Sequence, residues 1–393
     1  MRKLAYWTSL IFVFTIPWET VIQSSLLGSI SRLVGFGLAA AWLLAALFAR
    51  NVRKPTAFHA ALSLFVAWNA ASMFWSASPE KTATLIVTWL QLLLLSLIFW
   101  DLYTSLKDVI AALQMYILGA YVVLGDTIAN FVLGNAFYHA RFSAAGTSPD
   151  DTGVILALGI PIAAYLTVYR QPDRLSIPLK TLNYLYILLA FIGIALSGTR
   201  TALVVAVPGV LFTIFLVMHS RLSAQIRVGL LAIIGATVVL PRIPVTSIQR
   251  LETTKSSMVS GGMNGRERLW REGFASFVRH PWLGVGVNMF RSVNTEDKVA
   301  HNSFISVLVE LGMLGFFLFI LVVIIAGIHI FGQPPWDKWL WLTIFVGWVL
   351  SASALTWEYR KPTWLFLNLI VVSAAAAREQ FNLPFAKPHS GES

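Results

Sequence analysis

Apolar residues in this chain come in long runs. About twelve of them approach the roughly 20 residues an α-helix needs to cross a bilayer. They lie at about 5–18, 26–49, 57–75, 83–100, 109–133, 152–169, 182–197, 201–218, 227–244, 302–330, 339–356 and 363–377. Short polar connectors separate most of them, but the stretch 245–300 is too long and too charged to be a connector. The pattern predicts an all-α polytopic integral membrane protein in three parts. These are an N-terminal transmembrane bundle of about nine helices over 1–244, an extracytoplasmic loop with short amphipathic helices over 245–300, and C-terminal transmembrane helices with a tail over 301–393.

Composition sharpens this reading. With 57% hydrophobic and 12% charged residues, the chain is too apolar for a soluble multi-domain protein. Trp18, Trp75, Trp100, Trp336 and Trp357 lie near ends of apolar runs, where an amphipathic ring suits the headgroup zone. The absence of cysteine excludes disulfides, thiolate metal sites and cysteine nucleophiles. A net charge of +11 raises nucleic acid as a partner, but no compact basic run with interleaved aromatics supports it, so no nucleic acid is expected. Arg2 and Lys3 before an apolar stretch look like a signal peptide. With no small-residue cleavage site and many spans following, the stretch reads as a retained first helix.

If the spans alternate, Arg2/Lys3, Arg50/Arg53/Lys54, Arg170/Arg174/Lys180, Arg221/Arg227, Lys338 and Arg378/Lys387 fall on one side. The positive-inside rule makes that side the cytoplasm, with both termini there and the loop 245–300 facing outward. The loop is itself basic, which long translocated loops tolerate but which leaves its arginines to be explained. Within it, Asn264 can cap a helix with Glu267 as its third residue, carrying a stripe of Leu269, Phe274, Phe277 and Val278. Pro281 ends that helix at about His280. Gly284 and Gly286 mark a tight apolar turn, and a second short helix fits about 287–293.

Candidate chemistry gathers at the outward helix ends. Arg200 stands between two apolar runs with almost no loop, a position that snorkelling to lipid phosphate explains as well as function does. Arg266 stands beside Gly265 at a helix start, where the dipole and backbone donors favour anions and a guanidinium fork matches phosphate oxygens. Arg268, Arg271 and Arg279 read first as a solvated face with Arg–Glu pairs. Arg141, on a second outward loop, and Arg268, Arg291 and Asn302 are kept as substrate-contact candidates. His301 joins the arginine-rich loop to the next span and is the best general-base candidate, its pKa expected to be depressed by nearby arginines. The outward acids Asp150/Asp151 and Glu296/Asp297 are adjacent pairs, not a spaced ligand set, so no metal and no cofactor is expected. No phosphate-binding Gly-rich loop with Lys-Ser/Thr and no nucleophile elbow occurs.

Five segments in order resemble motifs of the O-antigen ligase and O-antigen polymerase superfamily. They are Arg141-Phe142 to Pro161, Ser197-Gly198-Thr199-Arg200-Thr201, Gly265-Arg266 followed by Trp270, His280-Pro281-Trp282-Leu283-Gly284-Val285-Gly286, and His301-Asn302-Ser303-Phe304 continuing to Glu310-Leu311-Gly312-Met313-Leu314-Gly315. The resemblance covers roughly residues 140–315. It implies a GT-C-like, metal-independent, inverting glycosyltransferase of the bacterial inner membrane with its active site facing the periplasm. The donor would be an undecaprenyl-diphosphate-linked glycan and, in the ligase branch, the acceptor a lipid A-core sugar of lipopolysaccharide. By motif, Arg200 and Arg266 would hold the diphosphate and His301 would be the base. The alternatives are a polymerase joining lipid-diphosphate-linked repeat units and, from another class, a lipid or polysaccharide flippase. A flippase predicts charges and broken helices at mid-membrane, whereas the ionisable residues here gather at outer helix ends, Asp126 being the main exception.

Overall fold

The computed structural model describes residues 1–24, 28–49, 52–137, 141–169, 177–234, 237 and 266–381. Among these, thirteen α-helices follow one another. They are α1 (Arg2–Thr15), α2 (Ile30–Ala49), α3 (Ala57–Ala71), α4 (Pro79–Leu102), α5 (Leu106–Val132), α6 (Pro149–Ala164), α7 (Ile177–Ser197), α8 (Arg200–Met218), α9 (Leu222–Ile234), α10 (Arg266–Arg279), α11 (Ser303–Phe331), α12 (Pro335–Ala352) and α13 (Lys361–Phe381). One small departure from the all-helical expectation is an antiparallel pairing of Gln23–Ser24 with Gly28–Ser29.

Every apolar run of the sequence coincides with a helix, the ninth only in part because 238–250 lie outside the described residues. Eight helices are long and apolar enough to cross a membrane: α2 to α8 and α11. Of the others, α13 is less apolar because it is packed inside the bundle with polar partners. The Ser96 hydroxyl donates to Asn368 Oδ1 at 2.5 Å, and Trp341 Nε1 donates to Ser373 at 3.0 Å. Polar groups bonded to neighbouring helices need not face lipid.

Alternating helix directions create two polar ends. One gathers Glu19, residues 133–137 and 141–148, the start of α6, the turn between α7 and α8, α10, the 280–302 segment and the 353–360 connection. The other gathers Arg2, Arg53, Asp101 and Asp337. The pivot is α6, 89% of whose apolar window is buried. Gly153 lets α8 close on its first turns: a side chain there would stand 2.7 Å from the Ala202 Cβ and 2.8 Å from the Ser197 hydroxyl.

A break in α11 builds the rest of the site end. Gly312 takes φ +65° and interrupts the helix. The interruption frees backbone groups, and the segment after α10 occupies them. Val285 and Gly286 donate to the carbonyls of Val309 and Glu310 at 3.2 and 2.8 Å, and Met313 donates to Pro281 at 2.8 Å. Contact this close needs glycine on both strands, since a Cβ on Gly284 would lie 2.4 Å from the Glu310 carbonyl. The Glu310 carboxylate then accepts the N–H groups of Asn288 and Phe290, each at 2.9 Å, fixing the loop that follows.

Candidate active site at the polar end of the bundle

The start of α6 organises one half of the site. Ser148 accepts the Asp151 N–H at 3.1 Å as a helix cap, and Pro149 opens the first turn. Asp150 and Asp151 follow at the positive dipole end, where carboxylates are favoured. They diverge: Asp150 accepts from Arg141 at 2.7 Å, whereas Asp151 accepts from the Trp357 indole at 2.6 Å and faces Arg360 at 3.5 Å. Arg141 also donates through Nε to the Ser197 carbonyl at 2.9 Å and through Nη2 to the Thr199 hydroxyl at 2.7 Å. This clasp holds the sharp α7–α8 turn, in which Gly198 has φ +56°, and so sets where Arg200 begins α8.

The other half is the segment before α11. His301 has φ +50° and donates its backbone N–H to Thr356 at 3.0 Å, while the Trp270 indole of α10 donates to the Ala300 carbonyl at 2.8 Å. The backbone that carries the half-buried imidazole is thus held from α10 and from the α12–α13 connection. Arg266, also half-buried, is the first residue of α10. Among the described residues neither the His301 ring nor the Arg266 guanidinium makes a hydrogen bond.

Electrostatics ties the halves together. Burial holds the His301 pKa below its ordinary value, the Arg266 charge pushes it the same way, and Asp150 and Asp151 oppose them. The direction is the expected one, but burial is the larger cause. Arg266 is itself lowered by burial, with Asp150 opposing. At neutral pH the imidazole is therefore uncharged beside a cation, as a proton acceptor must be.

Of the residues singled out from sequence, Arg141 pairs with Asp150, His301 and Arg266 lie within its electrostatic reach, and Arg200 follows Thr199 at the start of α8. Three do not converge on Asp150. Arg268 pairs with Glu272 at 3.0 Å and with Thr295 at 2.9 Å, its side chain 63% exposed. Exposed Arg291 donates to the Asp297 carbonyl at 3.1 Å. Asn302 caps α11, accepting from Phe304 and Ile305 and donating to Ser353. The proposed stripe on α10 is corrected as well: Leu269 is buried and Phe277 partly so, but Phe274 and Val278 are 43% and 73% exposed. The buried face runs instead through Leu269 and Gly273, where Phe290 packs. The second short helix is one 3₁₀ turn, Phe290–Val293, and the capping residue Asn264 lies outside the described residues.

Sequence reasoning missed Glu310 and Glu358. Glu310 was visible as a lone acid inside an apolar run. Glu358, on the 353–360 connection, is buried with Oε2 unbonded, and burial pushes its pKa up to about 7 against the pull of Ser306, Ser303 and Arg360.

The fold and site thus define a polytopic helical membrane protein with an imidazole, guanidinium and carboxylate cluster at one end of its bundle. Residues 185–320 match the family model described as O-antigen ligase, and this segment is similar to that family. The match contains Arg200, Arg266, His301 and Glu310. No curated protein matches the chain. The match supports an enzyme of the ligase and polymerase kind, and the eight long apolar helices support a membrane protein.

Proposed function

We propose that the protein is an O-antigen ligase of a bacterial inner membrane, moving a glycan from undecaprenyl diphosphate to a lipid A-core sugar on the periplasmic side. What supports this reading is the His301 ring, whose pKa is held down by burial and by the Arg266 charge, at the end of the bundle where Arg200 begins α8. A hydroxyl of the acceptor sugar attacks the anomeric carbon and its proton passes to a ring nitrogen of His301. The bond from that carbon to the diphosphate oxygen breaks with both electrons leaving on the diphosphate. Arg266 and Arg200 stabilise that growing charge, the task a metal performs elsewhere. Attack opposite the leaving group inverts the anomeric centre. Arg141, Asn302 and Glu310 act as positioning residues, and Arg268 and Arg291 lie outside the reacting cluster.

The test is turnover by purified protein in detergent with a polyprenyl-diphosphate glycan, lipid A-core and EDTA, read by product size on a gel. Glycan joined to lipid A-core supports the ligase. Product joined to a second lipid-diphosphate glycan would make the chain a polymerase, and no turnover without two compartments would favour a flippase.

A further inference from the structure

Two cavities of about 230 and 350 Å³ lie side by side at the site end and share Glu19 and Arg360 as their common wall. The larger one is lined by Asp151, whose charge acts on His301. The smaller runs away from it between α1, α2 and α4, floored by Phe12, Leu38 and Leu95 and bordered by Phe36, which is 56% exposed. Its polar mouth carries Arg32, Arg360 and Lys361 against one carboxylate, Glu19. Burial would raise the Glu19 carboxyl, but Lys361 and Ser31 bond it and hold it below its ordinary value, so it is an anion spent on Lys361. Arg32 is exposed and forms no hydrogen bond or ion pair among the described residues, and Arg360 Nε is buried without a partner. An apolar trough open to lipid, with the exposed Arg32 guanidinium and the unbonded Arg360 Nε–H at its mouth, matches a hydrocarbon chain that ends near a phosphate.

The geometry points to this groove as the seat of the acceptor's lipid anchor: one acyl chain of a phosphorylated glycolipid lies along Phe12, Phe36 and Leu95, with a phosphate on Arg32 and Arg360. The inference rests on the ligase reading above. The donor's diphosphate is the leaving group and must sit at the reacting bond, beside Arg266. The acceptor's phosphates are separated from its attacking hydroxyl by intervening sugars, so its anchor belongs at the membrane edge, beyond the Glu19–Arg360 wall. The remaining acyl chains stay in the bilayer.

The test places the photoreactive residue p-benzoyl-phenylalanine at position 36 of the full chain and measures crosslinking to lipid A in nanodiscs, with Arg32→Glu and Ala39→Trp as variants. Arg32 is exposed, so its reversal leaves packing intact even where filling the groove at Ala39 upsets folding. The expected result is saturable crosslinking, weakened about tenfold by Arg32→Glu and not displaced by excess phosphatidylglycerol. In turnover, the same variant raises KM for lipid A-core but not for core oligosaccharide lacking acyl chains. Crosslinking unchanged in Arg32→Glu, or displaced by phosphatidylglycerol, would overturn the assignment. A wild type that crosslinks lipid A in an Arg32-dependent way yet transfers no glycan would instead overturn the ligase reading and leave the groove assignment standing.

Discussion

The two polar ends of the bundle use the same residue types in opposite ways. At the end away from the site, Asp101 is 3% exposed and fully employed: it accepts from the Arg53 N–H at 2.8 Å and Trp42 at 3.0 Å, and pairs with Arg2 at 3.3 Å. Arg53 in turn pairs with Glu379 at 2.7 Å and lies 3.8 Å over the Trp100 ring. These charges close junctions between helices. At the site end, Arg266 and the His301 ring are half-buried and make no hydrogen bond among the described residues, and the Glu358 Oε2 and Arg360 Nε are buried without partners. Groups kept from water without a partner cost stability and persist where a ligand or a reaction uses them. The contrast teaches that charge count is uninformative here, and that saturation of each charge separates structural use from chemical use.

Substitutions sharpen the contrast. The largest effect is expected for His301→Ala, which removes the proton acceptor: turnover should fall about 10²–10⁴-fold with the melting temperature nearly unchanged. At the other end, Asp101→Ala should do the reverse. It strips the acceptor from two part-buried donors and a half-exposed ion pair, costing about 1–3 kcal/mol of stability while turnover per folded molecule stays at the wild-type level. Thermal unfolding paired with active-fraction kinetics checks both, and equal loss of turnover in the two variants would break the distinction.

A pH series tests Glu358. Its folded pKa of about 7 lies above the ordinary 4.5, so the folded state holds the proton more tightly. That stability is complete below pH 4.5 and is lost as pH rises through about 7, a difference on the order of 3 kcal/mol. Melting temperature should therefore decline between pH 5 and 8, and Glu358→Gln should flatten the decline. The smallest effects belong to Arg268→Ala and Arg291→Ala, whose own side chains are exposed. Transfer rates within about threefold of wild type are expected, since exposed pairs contribute about 0–1 kcal/mol.

Much of the fold was legible because a bilayer imposes length and polarity on every span. The runs gave the helices, and Gly284 and Gly286, with φ +69° and +101°, marked the turn. The break at Gly312 was not legible. Its freed backbone groups are taken up by residues 281–286, and only Glu310 and Gly312 inside an apolar run hinted at it. The site was half legible. Arg200, Arg266 and His301 stood out as polar residues at span boundaries. That Arg141 is a clasp, Asn302 a cap and Glu358 a buried acid depends on loops brought together from distant parts of the chain, and spacing along one segment does not encode such contacts. Phe274 and Val278 misled for a related reason. Apolar residues on an interfacial helix can face lipid as well as protein, and periodicity does not say which.

The central claim is that Arg200, Arg266 and His301 serve one diphosphate-binding centre. Its most direct test is an NMR titration of the His301 ring in purified protein with polyprenyl diphosphate, repeated in Arg200→Ala and Arg266→Ala. The account predicts a saturable shift of the His301 signals in the wild type and about tenfold or greater loss of affinity in each variant. Undiminished binding in both variants, or a His301 ring indifferent to the ligand, would contradict it.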